Sequence, residues 1–486
     1  MPALVDTLAS YVPALITRRL AADPTPLTGP IAEQLPAAIM FADITGFTPL
    51  AERLAQRGPA GTEELGRLLN AYFGQLIDLV TAHGGDVVKF AGDGLMAMWT
   101  TTDDEPLSHA TRRAAQCALA AQAALHNYQL ASDVRFTMRI GIGAGDVFAV
   151  HLGGVFQRWV FLLSGAPLAQ VSAAEQQARP GQVILSPEAT QLIRDDCALN
   201  VLPDGSAQLE AVRAMLAPRP LASIPLSAEM ESALRAYIPI ALLARVTAGQ
   251  SQWLAELRRV TVLFINLPDL DYRTPLAQAQ TILRELQNAL YHYEGSIDDL
   301  GVDDKGVSLI VALGLPPLAH EDDAARGIAA ARAMQAKLRA LGVRSAIGVT
   351  TGRFFCGTIG NVTRSSYNMV GDDVNLASRL MQAARDDILC DANTYLAARD
   401  HVTFDALPPI AVKGKAERVA VYRPVSDSAT KLQSGEQPQT AIVGRAPERA
   451  ALEARLQALL QRESGVVVIE GEAGIGKSQL VEATRR

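Results

Sequence analysis

Short apolar runs that stop at an acidic or glycine-containing turn alternate with longer amphipathic stretches through the first 200 residues. The run AAIMFA at 37–42 reads as a strand, and a helix begins after it over 49–57. Over 63–83, Leu65, Leu68, Leu69, Tyr72, Phe73, Leu76, Ile77 and Val80 fall on one stripe at helical spacing. GGDVVKFAGDGLMAMW predicts a hairpin, two apolar strands joined by an Ala-Gly-Asp-Gly turn. An Ala-rich helix over 108–132 follows, and FTMRIGIGAGDVFAVHLGG reads as a strand pair around a Gly-rich bend. RWVFLLSGAPLAQVSAAEQQA then predicts strand, turn and helix, and GQVILS a short strand. At the N-terminus, MPALVDTLASYVPALITRRL reads as one amphipathic lead-in helix; its acid comes early and its arginines late, the reverse of a secretory signal.

The same order recurs downstream. VTVLFINLPDL parallels AAIMFADITGF and sets Asn266 opposite Asp43; YEGSIDDLGVDDKGVSLIVAL parallels the hairpin. VRSAIGVTTGRFFCGTIG parallels the Gly-rich strand pair, and SYNMVGDDVNLASRLMQAA parallels RWVFLLSGAPLAQVSAAEQQA. The organisation expected is therefore a lead-in at 1–35, an α+β domain at 36–200, a connector at 201–257, a related domain at 258–424, a polar linker at 425–440 and a final segment at 441–486.

Composition agrees with a globular chain: of 486 residues, 49% are hydrophobic and 20% charged, enough for roughly three domains. A net charge of −7 provides no basic field for nucleic acid or anionic lipid, and no apolar run is long enough to span a membrane. Cys117, Cys197, Cys356 and Cys390 lie far apart without a CxxC, which suits small buried side chains in a reducing compartment, so a cytoplasmic location is expected. His83 and His151 have no partners at metal-ligand spacing and read as structural.

The differences between the repeats carry the chemistry. The first repeat holds Asp43 and Asp93, each at a strand end beside a glycine turn, where the second has Asn266 in place of Asp43. The second holds Asn375 and Arg379, four apart and so on one helix face, where the first has Ala169 and Ala173. Taken singly, Asp43 is a helix-entry cap, Asp93 hairpin chemistry, Arg379 a surface ion pair, and Lys305 and Lys413 solvated turn residues. Taken together, the complementary losses describe one composite site between two pseudo-symmetric halves.

On FADITGF, KFAGDGLMAMW, the GIGAG and GVTTG stretches and YNMVGDDVNLASRL, the chain resembles class III nucleotidyl cyclases, in particular tandem soluble adenylyl cyclases. The resemblance implies two ferredoxin-like βαββαβ-type domains and conversion of ATP to cyclic AMP and pyrophosphate with two Mg²⁺ (or Mn²⁺) ions. It makes Asp43, the Ile44 carbonyl and Asp93 the metal ligands, and Ile44, Thr45, Gly46 and Phe47 a phosphate-facing turn. It assigns Asn375 to the ribose, Arg379 to the α-phosphate, Lys413 (Lys415 being the neighbouring alternative) to the terminal phosphates, and Lys305 with Asn368 to the base. An amide at Asn368, where Asp or Thr is common, can serve adenine or guanine, so a guanylyl cyclase is the alternative substrate class. A non-catalytic nucleotide-binding scaffold is the alternative of another kind. Lys89 matches a lysine of the degenerate pocket in bicarbonate-responsive members, but Ser172 stands where their arginine aligns. GGD at 84–86 continues Val-Val, unlike a diguanylate cyclase signature.

GEAGIGKS at 471–478 fits a phosphate-binding loop after the apolar run GVVVIE, making Gly471, Gly476, Lys477 and Ser478 its key positions. With VGRAPERAALEARL upstream it resembles the opening of an AAA/STAND-type ATPase module. The chain ends eight residues after Ser478, so the expectation is a truncated P-loop NTPase start with a further ATPase or sensor region missing.

Overall fold

The computed structural model describes residues 4–46, 50, 53–54, 57–92, 94–101, 105–131, 134–247, 256–303, 305–412, 417–425, 445–460, 465–470 and 480. One unit spans Met1–Val425 and another Ser426–Arg486.

In the first unit two short helices, α1 (Leu4–Ser10) and α2 (Ala14–Ala22), precede strand β1 (Ile31–Thr45). Helix α3 (Pro59–Ala82), the hairpin β2 (Asp86–Ala91) and β3 (Gly94–Thr100), and helix α4 (Leu107–Leu125) follow. Then come β4 (Tyr128–Ala131), β5 (Val134–Val155), β6 (Arg158–Ser164), helix α5 (Ala166–Gln177), β7 (Val183–Leu185), β8 (Cys197–Val201) and β9 (Ala207–Val212). They form one sheet in the order β2-β3-β1-β5-β7-β9-β8, with β4 and β6 paired to β5. Because β1 is antiparallel to both β3 and β5, the run β1-α3-β2-β3-α4-β5 is a βαββαβ unit. The sheet continues past residue 200 because β9 pairs with β7, which the apolar pattern of 201–212 does not announce.

After helices α6 (Glu231–Arg235) and α7 (Ile240–Thr247) the plan repeats. It runs β10 (Glu256–Leu267), α8 (Leu276–His292), β11 (Ser296–Asp303), β12 (Gly306–Leu313), α9 (Asp323–Ala340), β13 (Ala346–Gly360), β14 (Ser365–Val370), α10 (Asp372–Ala384), β15 (Ile388–Cys390), β16 (Phe404–Ile410) and β17 (Val419–Pro424). The second sheet has the order β11-β12-β10-β13-β15-β17-β16, with β14 on β13. The two mixed sheets with their helices are the α+β pair expected.

The Gly-rich stretches differ from expectation. Each lies inside one continuous strand, β5 or β13, and makes no bend. A Cβ on Gly141 would stand 2.5 Å from the Val171 carbonyl oxygen of α5, and one on Gly348 would stand 2.0 Å from the Ala377 carbonyl oxygen of α10. The glycines let a helix lie directly on the strand, a requirement set by residues about thirty positions away.

The ends of β5–β6 and β13–β14 are exchanged between the halves. Phe355, Ile359 and Val370 join the apolar cluster of Ile44, Leu50, Tyr72 and Phe73, while Val150, Leu152 and Leu162 join that of Leu283, Leu286 and Leu309. Polar contacts seal both crossings. The Gly360 amide donates to Asn70 Oδ1 of α3 (3.0 Å), and Asn361 Nδ2 donates to Asp78 Oδ1 (2.8 Å). On the other side the Gly153 amide donates to Gln280 Oε1 of α8 (2.8 Å), and Gln287 Nε2 donates to the Arg158 carbonyl (3.0 Å).

The lead-in is two helices and not one. Pro13, which has no N–H to donate, stands at the start of α2 and ends the run. The repeat extends beyond the two domains, because Tyr11-Val12-Pro13 before α2 is matched by Tyr237-Ile238-Pro239 before α7. The contacts match too, each reaching the opposite half. Tyr11 Oη lies 3.1 Å from Thr358 Oγ1 on β13, and Tyr237 Oη lies 2.8 Å from His151 Nδ1 on β5. Arg364 Nη1 donates to the Ser10 carbonyl (3.3 Å), and Arg158 Nη1 donates to those of Arg235 (2.7 Å) and Ile238 (3.0 Å).

In the second unit the described structure centres on helix α11 (Ala446–Leu460).

Burial, assisted by the positive charge of Arg19, lowers the His151 pKa to about 4 from 6.5. The unfolded chain therefore takes up the proton first as pH falls, and stability is lost between those two values. Urea unfolding across this range should show a steeper decline for the wild type than for His151→Gln.

Candidate functional site

Asp43 sits near the end of β1, directly opposite Arg139 of β5. The alternation of the strand buries Ile44 completely and leaves Asp43 on the other face. Arg139 Nε donates to Asp43 Oδ2 at 2.7 Å, and the same guanidinium pairs with Glu175 of α5 at 2.6 Å. Arg139 is thus shared by two carboxylates, and the Glu175 side chain is only 10% exposed against 35% for that of the arginine. Thr45 is exposed, and Gly46 turns the chain at φ +105°, where a Cβ would stand 3.0 Å from the Arg135 carbonyl oxygen. Beyond the turn Leu50 and Leu54 are buried, anchoring the return into the core. Phe47 and Asp93 lie outside the described residues.

In the second half Asn266 stands opposite Ala346, as Asp43 stands opposite Arg139. Its Nδ2 donates to the Lys305 carbonyl (3.1 Å), which ties the end of β10 to the β11–β12 turn with no charge involved. Lys305 is exposed on that turn. On β14, Asn368 is 9% exposed; its Oδ1 accepts a hydrogen bond from Ser366 Oγ (3.0 Å), while its Nδ2 is buried without a partner.

Helix α10 is fixed to β13 at its first turn. Thr350 Oγ1 donates to the Asp373 carbonyl (2.8 Å), and Gly352 leaves room for the Asp373 carboxylate. Leu376, Ala377 and Leu380 are buried, so Asn375 is exposed and Arg379, one turn on, half-exposed. Arg379 Nη1 donates to Gln382 Oε1 at 3.3 Å. Lys413, Gly471, Gly476, Lys477 and Ser478 fall outside the described residues.

Lys89 of β2 crosses to the second half, where its Nζ is 2.8 Å from Asp299 Oδ1 and donates to the Leu300 carbonyl at 3.2 Å. A cavity of about 520 Å³ opens beside it, walled partly by Tyr11, Phe161, Tyr237 and Asp298. Burial, and then the charge of Asp299, push the Asp298 carboxyl up to about 7.

The structure thus groups Asp43, Ile44, Thr45 and Gly46 in one half, and Asn368, Asn375 and Arg379 on consecutive elements of the other. Sequence reasoning missed Arg139 and Glu175. A signal existed, since RIGIG in the first repeat is matched by AIGVT in the second, so Arg139 is kept where Asp43 is kept. Among the described residues no group of three or more His, Cys, Asp or Glu side chains could hold a metal by itself. No helix among them is long and apolar enough to cross a membrane.

Residues 32–217 and 256–423 each match the adenylate and guanylate cyclase catalytic domain family. Adenylate cyclase type 10 of Homo sapiens is 26% identical over 93% of this chain and 31% of its own length. The Rattus norvegicus protein of that name is 27% identical over 91% and 30%. The chain spans about a third of the length of these curated relatives. A solved structure described as a class III adenylyl cyclase-like ATP-binding protein from Pseudomonas aeruginosa covers 79% of this chain and 92% of its own, with a TM-score of 0.53 at 14% identity, a likeness of fold.

Removing Arg139 leaves Asp43 and Glu175 to face one another. Because the arginine is about a third exposed, Arg139→Gln should cost only on the order of 1 kcal/mol in urea unfolding. Added Glu175→Gln should recover part of that loss.

Proposed function

The chain belongs to the adenylate and guanylate cyclase catalytic domain family, and on that premise we propose that it converts ATP to cyclic 3′,5′-AMP and pyrophosphate at one site shared by its halves. One observation carries the reading. The first half keeps Asp43 and Arg139 where the second has Asn266 and Ala346, and the second keeps Asn375 and Arg379 where the first has Ala169 and Ala173.

In the reaction the ribose 3′-oxygen attacks the α-phosphorus. The bond to the bridging oxygen breaks, pyrophosphate leaves with its electron pair, and the hydroxyl proton passes to solvent. Asn375 orients the ribose, and Arg379, steadied by Gln382, meets the negative charge growing on the α-phosphate. Lys413 grips the terminal phosphates, a reading that rests on sequence alone. Thr45 and Gly46 lie along the phosphates, and Phe47 is assigned to them on its sequence alone.

Hard divalent ions suit the donors. Mg²⁺ coordinated largely by phosphate and water needs only one or two protein carboxylates, so the lack of a protein-only cluster among the described residues is no obstacle. Asp43, the Ile44 carbonyl and Asp93 are the residues that would hold two such ions, Mg²⁺ or Mn²⁺. When bound, the ions supply neutralisation of the triphosphate and acidify the 3′-hydroxyl. Glu175 keeps Arg139 paired when the Asp43 oxygens are engaged elsewhere.

Lys305 and Asn368 face the base. The unpartnered Asn368 amide is satisfied by adenine N1 or equally by guanine O6, so GTP is the second substrate to test. The GEAGIGKS loop is read as the start of an NTPase module on its sequence alone.

Incubation with ATP or GTP and Mg²⁺ or Mn²⁺ should yield cyclic AMP in preference to cyclic GMP, and the absence of both products defeats the proposal. Asp43→Ala and Arg379→Ala, in different halves, should each lower kcat by at least about 10²-fold.

A further inference from the structure

Lys89 has a place in the molecule that the chemistry above does not use. Its strand β2 leads into the turn that precedes Gly94, and its ammonium ends on β11, which leads into the turn carrying Lys305. The contact joins one hairpin of each half through a carboxylate at 2.8 Å and a main-chain carbonyl at 3.2 Å. The pair is sheltered, the two side chains being 26% and 30% exposed. The facing strand is shaped for it, since a Cβ on Gly301 would stand 3.0 Å from Lys89 Nζ.

We propose that Lys89 is a positioning residue, an interdomain strut that holds the carboxylate half of the site in register with the nucleotide half. The inference rests on the cyclase reading and deepens it. An anion-binding role fits the surroundings poorly. The ammonium is already neutralised by Asp299, Asp298 adds a second acid to the same cavity, and Ser172 of α5, where an arginine would be needed, is engaged by Gln176 Nε2 at 3.2 Å. The strut works by geometry: a shift of about 1 Å between reacting groups held on separate bodies can cost on the order of 10²-fold in rate.

Steady-state kinetics of the full chain test this, with thermal unfolding of each variant recorded alongside. Lys89→Met and Asp299→Asn should each lower kcat about ten- to a hundredfold while KM for ATP moves less than about threefold. The double variant should be no worse than either single one, because both remove the same link. Lys89→Arg should keep most of the activity, and Gly301→Ala, on the other half, should lower kcat in the same way. A purely structural role would lower the unfolding temperature without this split. Unchanged kcat in Lys89→Met overturns the proposal. So does activation of the wild type by added bicarbonate that Lys89→Met abolishes at unchanged basal turnover, since the lysine would then be an anion receptor. A wild type with no turnover defeats the cyclase reading and the strut together, whereas an active wild type with indifferent variants defeats the strut alone.

Discussion

Phe355, Ile359 and Val370 of the second half close the apolar core around Ile44 and Phe73 of the first, and Val150, Leu152 and Leu162 cross in the opposite direction. Six large side chains at about 1.5–3 kcal/mol each amount to a sum comparable with the net stability of a whole domain. Neither half can therefore withdraw without exposing its interior. The exchange also decides where polar side chains may stand. Asn368 lies on the same strand as Val370, and α10 with Asn375 and Arg379 follows that strand after one glycine. The packing that holds the halves together also fixes the strand and the helix that bear Asn368, Asn375 and Arg379.

Charge is distributed asymmetrically over this nearly symmetric frame. On one side Asp43, Arg139 and Glu175 form a compact ionic group at the end of β1. At the matching place on the other side Asn266 makes an uncharged tie to its own turn. A carboxylate is costly where nothing compensates it, and an amide with two carbonyls to serve is not. At this place the second half keeps the strand pairing of the first without its charged side chains.

What could be read from the sequence was what depends on near neighbours. The stripe from Leu65 to Val80 gave α3, although the helix starts earlier, at Pro59, and two apolar runs joined by an Ala-Gly-Asp-Gly turn gave the hairpin. The comparison of repeats singled out Asp43, Asn375 and Arg379, whose side chains stay accessible in the fold. Features set by distant partners were not legible. Gly141 and Gly348 looked like bend residues because the helices pressing on them lie about thirty positions downstream. Arg139 passed as an ordinary strand residue because its carboxylates come from two separate elements. The Tyr-Val-Pro and Tyr-Ile-Pro pair escaped because so short a match gains weight only when Tyr11 and Tyr237 are seen reaching across to opposite halves.

Those two tyrosines bear on the history of the chain. A duplicated segment that began at the cyclase strands would have left the flanking helices unrelated, yet they match in sequence, in the proline that starts them and in the strand each touches. The repeated unit therefore includes the helical arm, and each arm lies against a strand of the opposite half. One half keeps the acid and the other the amide and guanidinium, so the backbone frame is nearly twofold while its side chains are not.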